Sequence, residues 1–238
     1  MSIVFRQLFD EDSCTYTYLL ADALTADAVL IDTVLGHVGG YLSLLQEQGL
    51  QLRWVLETHV HADHITGASA LKEHTGARTV TSAAGGAECA DLRATEDTVI
   101  AFGEELIRVI PTPGHTPGCV TYRWRDRVFT GDALLIGGCG RTDFQGGDAA
   151  TLYDSITRRL FTLPGETLVY PAHDYKGQRV SCIAQERDTN PRLANTTREA
   201  FVVTMANLKL PPPRQIGTAL PANEACGRLQ ELIDLQGV

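Results

Sequence analysis

The sequence has no apolar run long enough to cross a bilayer, no C-x-x-C pair, no cluster of Lys and Arg, and no internal repeat or low-complexity stretch. The first absence sets aside a membrane-spanning protein and a membrane partner. The second leaves six scattered cysteines, Cys14, Cys89, Cys119, Cys139, Cys182 and Cys226. In a chain of this size they are expected as reduced, mostly buried thiols rather than a disulfide framework or a zinc knuckle. The third absence, with a net charge of −9 and a pI near 5.2, argues against a nucleic-acid partner, since phosphate binding needs a basic face. The segment Met1 to Phe9 has neither a secretory apolar core nor the Arg/Ser-rich pattern of a transit peptide. A cytoplasmic location is therefore expected, or the mitochondrial matrix in a eukaryote.

At 238 residues the chain can bury a full core, and its 44% apolar and 21% charged residues are near the globular average. What stands out is Thr58-His59-Val60-His61-Ala62-Asp63-His64, four metal-competent side chains in six residues, directly after the apolar run Trp54-Val55-Leu56. A strand puts residues i and i+2 on one side, so His59 and His61 can converge, and a helix entry just beyond would return Asp63 and His64 to the same point. Imidazoles with a carboxylate suit a borderline transition metal. Taken singly, Asp63 also reads as the N-cap of a helix from Ile65 to Thr75.

The chain opens as a β-meander over Phe5 to Leu8, Thr15 to Leu20 and Ala28 to Ile31. A helix over Gly36 to Gly49 follows, and Leu52 to Leu56 returns as the strand that delivers the histidines. After the helix ending at Gly76 come a strand at Arg78 to Ser82 and an irregular passage to Asp97. A strand at Leu106 to Ile110 then runs into Pro111-Thr112-Pro113-Gly114-His115-Thr116-Pro117-Gly118, a rigid turn around one histidine. A hairpin across Arg125-Asp126 ends in Thr130-Gly131-Asp132, and Asp148 caps an amphipathic helix to Leu160. A strand at Thr167 to Tyr170 runs into Pro171-Ala172-His173-Asp174-Tyr175. Helices are expected at Val180 to Arg187 and Thr197 to Leu208, with Pro211-Pro212-Pro213 ending regular structure before a short tail. Each His or Asp of the set falls where a strand gives way to a loop, the edge where α/β folds place their sites.

The pattern H-x-H-x-D-H at 59 to 64, followed by His115, Asp132 and His173 in that order, resembles the metallo-β-lactamase superfamily. The resemblance implies an α/β (α+β) fold, an αββα sandwich of two mixed sheets flanked by helices. It implies one domain over 1–238 with a short C-terminal extension and no fused rhodanese domain. Thr58 to Gly67, Thr130 to Ile136, Gly138 to Gln145, Tyr170 to Tyr175, Asn190 to Leu193 and Asn207 to Pro211 are similar, within that superfamily, to the persulfide dioxygenases. Thr33 stands where that family would place proline.

Carried over by resemblance, the metal ligands are His59, His115 and Asp132, a two-histidine, one-carboxylate set for one Fe(II) per chain. His61, Asp63, His64 and His173, ligands in dinuclear relatives, become supporting residues around that ion. Arg141 and Tyr175 are expected to contact the carboxylates of glutathione. The implied reaction takes glutathione persulfide, O₂ and water to sulfite and glutathione, with persulfide supplied by a separate sulfurtransferase of the rhodanese kind or by spontaneous chemistry, and a homodimer is expected. Two alternatives stay open at this point. One is a glyoxalase II-type hydrolase of glutathione thioesters with a dinuclear centre, although only about 30 residues follow Leu208, a short allowance for its helical substrate domain. The other is a non-catalytic metal- or sulfur-binding protein.

Overall fold

The computed structural model describes residues 3–229. β1 (Ile3–Asp10), β2 (Thr15–Asp22) and β3 (Asp27–Ile31) form the expected meander. A 3₁₀ turn at Leu35–His37 and α1 (Val38–Glu47) then return the chain as β4 (Gln51–Leu56), parallel to β3. After α2 (Ala68–Thr75), β5 (Arg78–Ser82) and the short β6 (Leu92–Ala94) complete a sheet ordered β1-β2-β3-β4-β5-β6. The second sheet begins with an antiparallel run of β7 (Val99–Phe102), β8 (Glu105–Pro111), β9 (Val120–Trp124) and β10 (Arg127–Gly131). Then α3 (Ala149–Ser155) and a π turn at Ile156–Leu160 carry the chain to β11 (Leu168–Pro171), parallel to β10. The two-residue β12 (Ser181–Cys182) closes the edge, and α4 (Ile183–Thr189), α5 (Arg198–Ala206) and α6 (Ile216–Glu224) follow.

Three apolar layers explain the sandwich. Tyr18, Leu20, Val29, Ile31 and Leu56 of the first sheet meet Ile107, Tyr122, Trp124 and Phe129 of the second in a core between the sheets. The opposite face of the first sheet, including Leu19, Leu30 and Val55, packs on Tyr41, Leu45 and Leu71 of α1 and α2. Val128 and Val169 on the outer face of the second sheet pack on Leu152, Ile156, Ile183 and Phe201. Strands buried on both faces read as nearly continuous apolar runs, and all eight residues of β2 are buried. The two mixed sheets with helices outside are the fold expected from the sequence.

Four local expectations are corrected. α2 begins at Ala68 with Gly67 at its N-cap, not at Ile65, because Asp63 spends its carboxylate on His64 and His173 instead of capping a helix. Within the stretch read as a helix from Val180, Ser181 and Cys182 pair with β11, and the helix starts only at Ile183. The triple proline does not end regular structure, since α6 follows it with Pro221 in its interior. Finally, the cysteines are not all thiols: Cys89 and Cys226 form a disulfide across 137 residues, while Cys14, Cys119, Cys139 and Cys182 are free. Widely spaced cysteines carry no sequence signal of pairing, because the loop between them is closed only by the fold. Among the described residues no helix is long and apolar enough to cross a membrane.

Candidate metal centre

The ligand loop leaves β4 through Glu57 and Thr58. Asp32, at the end of β3 in a left-handed conformation (φ 53°), accepts from the Thr58 amide at 2.7 Å and from its hydroxyl at 2.9 Å. With its proton given to Asp32, the Thr58 hydroxyl accepts from His59 Nδ1 at 3.0 Å, which leaves His59 Nε2 free as a lone-pair donor. His61 takes the other direction. Its Nε2 donates to Asp32 at 3.2 Å and lies 3.4 Å from Glu57 Oε2, inside the protein.

The second sheet supplies its groups one at a time. His115 stands in the Pro113 to Pro117 turn after β8, and its Nδ1 donates to the Arg141 carbonyl at 2.7 Å, so Nε2 again is free. Asp132 follows Gly131, whose φ of 54° suits glycine and where a Cβ would lie 2.7 Å from the Thr58 side chain. Gly140 passes so close to the Asp132 carbonyl and the His115 ring that any Cβ would collide with both. Donor atoms of His59, His115 and Asp132 all lie within 4.8 Å of one another, with His115 Nε2 3.5 Å from Asp132 Oδ2.

His173, at the end of β11, lies between two carboxylates. Its Nδ1 is 2.6 Å from Asp132 Oδ1 and its Nε2 is 2.8 Å from Asp63 Oδ2. Burial works against its charge, but Asp132 and Asp63 raise its pKa well above the ordinary value. The converse holds for the acids: burial pushes Asp132 and Asp63 up, and His173 overrides it, holding both below the ordinary range. His61 behaves alike, burial being outweighed by Asp32 and Glu57 so that its pKa rises to about 10. His59 is the exception. Burial, reinforced by the neighbouring His61, pushes its pKa well down and keeps the neutral, metal-competent form.

A second group, His61, Asp63 and His64, also brings donors within 4.8 Å, and His61 Nδ1 and His64 Nε2 are buried with no hydrogen-bond partner. Asp63, however, is shared with His173, Thr15 and His64.

Above the three donors opens a cavity of about 490 Å³, walled by Leu135 to Arg141, Phe144, Gln145, Tyr175, Lys176, Arg192 and the Leu210–Pro211 segment. Arg141 forms a two-pronged pair with Asp143 at 2.6 Å, donates to the carbonyls of Leu210 and Pro211, and stacks on Phe144. A larger groove of about 860 Å³ borders Tyr175 on its other side, but none of the three donors lines it.

The sequence and fold have known counterparts. The family model of the metallo-beta-lactamase superfamily matches residues 14–173. The chain belongs to this superfamily. Within it, the chain is 50% identical to the human mitochondrial persulfide dioxygenase ETHE1 over 94% of its own length and 89% of the human protein, and it belongs to that family. The crystal structure of ETHE1 from Myxococcus xanthus superposes with a TM-score of 0.93 at 54% identity, covering 94% of this chain and all of that one. A hydroxyacylglutathione hydrolase from Anaeromyxobacter dehalogenans is 37% identical over 77% of this chain and 70% of its own length.

The ligand loop and the strand-end residues His115, Asp132 and His173 were legible in the sequence, and the structure brings His59, His115 and Asp132 together in one cluster and His61, Asp63 and His64 in another. Sequence reasoning missed Asp32, Glu57 and Asn223, which hold that loop, and Lys176 and Arg192, which add charge to the cavity. Asp32 sits directly before the expected proline position, where an Asp at a strand end carries no signal of its own. Asn223 carried no signal: its side chain reaches the carbonyls of His61 and His64 from 162 and 159 residues away.

Proposed function

We propose that this enzyme is a glutathione-dependent persulfide dioxygenase, oxidising glutathione persulfide with O₂ and water to sulfite and glutathione at one Fe(II) held by His59, His115 and Asp132. The observation that carries this reading is the convergence of two neutral-capable imidazoles and one carboxylate beneath a single open cavity, in a chain half identical over nearly its full length to a persulfide dioxygenase. The donor set fits the ion. Both histidines have Nδ1 engaged and Nε2 free, and Asp132 has one oxygen bonded to His173 and the other directed toward His115. A bound Fe(II) would supply open coordination positions and the redox chemistry that O₂ requires.

The remaining work falls to the chain. Asp32, through Thr58, fixes the His59 ring, and the Arg141 carbonyl fixes the His115 ring. Glutathione brings two carboxylates, and the cavity offers Arg141, Tyr175, Lys176 and Arg192 to receive them. Asp143 already neutralises the Arg141 guanidinium. Among the described residues Lys176 and Arg192 have no acidic partner, so their charges are uncompensated. Leu135 and Ile136 add apolar wall to the cavity through which the persulfide sulfur would approach the donors.

The hydrolase reading needs a second ion held among His61, Asp63, His64 and His173, and hydrolysis of a glutathione thioester separates it from the dioxygenase. Against a purely binding role stands the 50% identity, over nearly the full chain, to a protein named for its catalytic activity. We further propose a cytoplasmic location, or the mitochondrial matrix if the source is eukaryotic, a single catalytic domain acting as a homodimer, and a separate sulfurtransferase as the persulfide source. Oxygen uptake with glutathione persulfide, run beside hydrolysis of a glutathione thioester, tests the reaction. Rapid uptake with sulfite formed and negligible hydrolysis is expected, and the reverse pattern would make the protein a thioesterase.

A further inference from the structure

The proposed reaction makes no use of α6, yet the hydrogen bonds that this helix and its closing turn make beyond their own segment run to the ligand loop and its neighbours. The Asn223 side chain, 4% exposed, donates to the carbonyls of His61 at 2.9 Å and His64 at 2.7 Å, and accepts from the Thr66 amide at 2.9 Å. One turn later the Cys226 carbonyl accepts from both the amide and the hydroxyl of Ser69 at the start of α2. Between these contacts and the ligand loop lies a cavity of only about 10 Å³, lined by Glu57, His61, Asn223 and Cys226. The loop cannot shift without losing Asn223.

The same turn is covalently fastened. Cys226 is buried, while its disulfide partner Cys89 is exposed in the passage between β5 and β6. The bond thus joins a solvent-facing sulfur to the residue three positions beyond the loop's anchor. Disulfides are rare where glutathione keeps thiols reduced, and those that do occur there are usually responsive rather than structural.

We propose that α6 is a thiol-releasable clamp on the ligand loop: Asn223 positions the loop through the backbones of His61 and His64, and the Cys89–Cys226 bond holds Asn223 in place until a low-molecular-weight thiol cleaves it. In the exchange, a thiolate attacks the Cys89 sulfur, the S–S bond breaks, and its electron pair leaves on the Cys226 sulfur, which takes up a proton. A second thiolate then attacks the thiol-derived sulfur of the mixed disulfide, releasing Cys89 as a thiol and the small thiol as its own disulfide. Two thiols are oxidised for one protein disulfide reduced. The identity of the thiol as glutathione, the product of the reaction, rests on the function proposed above. The clamp rests not on that reaction but on the reducing compartment proposed with it.

The test uses the iron-loaded protein without substrate, so its outcome is independent of catalytic activity. Millimolar reduced glutathione should raise the titratable thiols from the four free cysteines to all six and speed iron transfer to a chelator by roughly 10-fold, the usual lower bound for loss of a ligand's supporting contact. The Cys89→Ser/Cys226→Ser protein should release iron at the fast rate from the start and ignore glutathione. Asn223→Asp keeps an acceptor for Thr66 but loses both donors. With its disulfide intact, it should release iron quickly and, loaded with Co(II), shift the d–d absorption bands, which a change in overall stability alone would leave in place. Should the double-serine protein fold poorly, Cys89→Ser alone serves, because it too breaks the bond. A disulfide that glutathione leaves intact in the folded protein, an iron release rate unchanged by its cleavage, or unaltered Co(II) bands in Asn223→Asp would each overturn the proposal.

Discussion

On the first sheet, four donor side chains crowd into six residues, and their loop is held by buried side chains, Asp32, Glu57 and Asn223. On the second sheet, His115, Asp132 and His173 arrive singly at three strand ends: main chain positions the first two, through the Arg141 carbonyl, the Gly131 turn and the close passage of Gly140, while His173 lies between the Asp132 and Asp63 carboxylates. The crowded half gives one donor to the cluster with His115 and Asp132, and the sparse half gives two. Density of ligands in sequence is therefore a poor guide to which of them converge. His59 and His115 keep Nε2 free beside Asp132, whereas His61 donates Nε2 to Asp32 and leaves its free Nδ1 in the separate cluster with Asp63 and His64.

The largest effect should break the two halves apart. Protein purified anaerobically is expected to hold about one iron per chain. His59→Ala, His115→Ala and Asp132→Ala should each lose it, since two protein ligands make an inadequate site, while His64→Ala keeps most of it. Elemental analysis decides: equal loss across all four variants, or two tightly held metals in the parent, would erase the asymmetry.

Asp32→Ala sharpens the contrast from the side of the carboxylates. It removes the partner of the Thr58 amide, the Thr58 hydroxyl and His61, leaving a buried imidazolium without its main counter-charge. A cost of about 3–5 kcal/mol is typical of breaking such a buried pair, and iron affinity should fall roughly 10- to 100-fold with the loss of the His59 support. Chemical denaturation and chelator competition measure the two separately. A normal affinity in a destabilised protein would detach Asp32 from the centre.

Arg141→Ala probes the second half, where the carbonyl that orients His115 survives any substitution. Loss of a contact to glutathione should raise KM by at most roughly 10- to 100-fold, from about 1.5–3 kcal/mol of binding, and by less where Asp143 keeps the guanidinium, with iron content near that of the parent. Lost iron with normal KM would instead make Arg141 a brace for the Asp132 loop.

The smallest effect is an acid-side one, away from the centre. Burial pushes the Asp91 carboxyl up, but the bonds from Lys72 and Thr79 outweigh it and hold it at about 2, below the ordinary 3.8. A depressed carboxylate contributes stability that is present above the unfolded value and lost as pH falls toward the folded one. Between pH 4 and 2, thermal melts of the parent should therefore lose more than those of Asp91→Asn. Parallel curves would show that this tie between α2 and the passage leading to β6 contributes nothing.

How much of this was readable beforehand follows the same division. His59, His61, Asp63, His64, His115, Asp132 and His173 were all reachable as candidates because each follows a strand whose apolar run and turn residues are local signals, but singling out His59, His115 and Asp132 among them rested on the family resemblance. The sheets were readable for the same reason, except β6, β7 and β12, of three, four and two residues, too short for alternation to register. Side-chain grips over long separations were not readable. Asp32 looks like any Asp at a strand end until Thr58 arrives beside it, and neither Asn223 nor the Cys89–Cys226 bond has meaning before the chain has closed on itself. α6 was hidden by the three prolines before it and the one within it, since proline's missing N–H argues against a helix that tertiary contacts nonetheless hold.

The grip on His115 has a consequence for inheritance. The carbonyl that sets its tautomer belongs to Arg141, and a carbonyl cannot be mutated away, whereas the guanidinium of the same residue lines the cavity mouth. Drift at position 141 therefore falls on what the pocket admits before it reaches what the pocket holds. Lineages that diverge here should first change what the pocket admits, and only later, through the neighbouring Gly140, disturb the seat of His115 and Asp132.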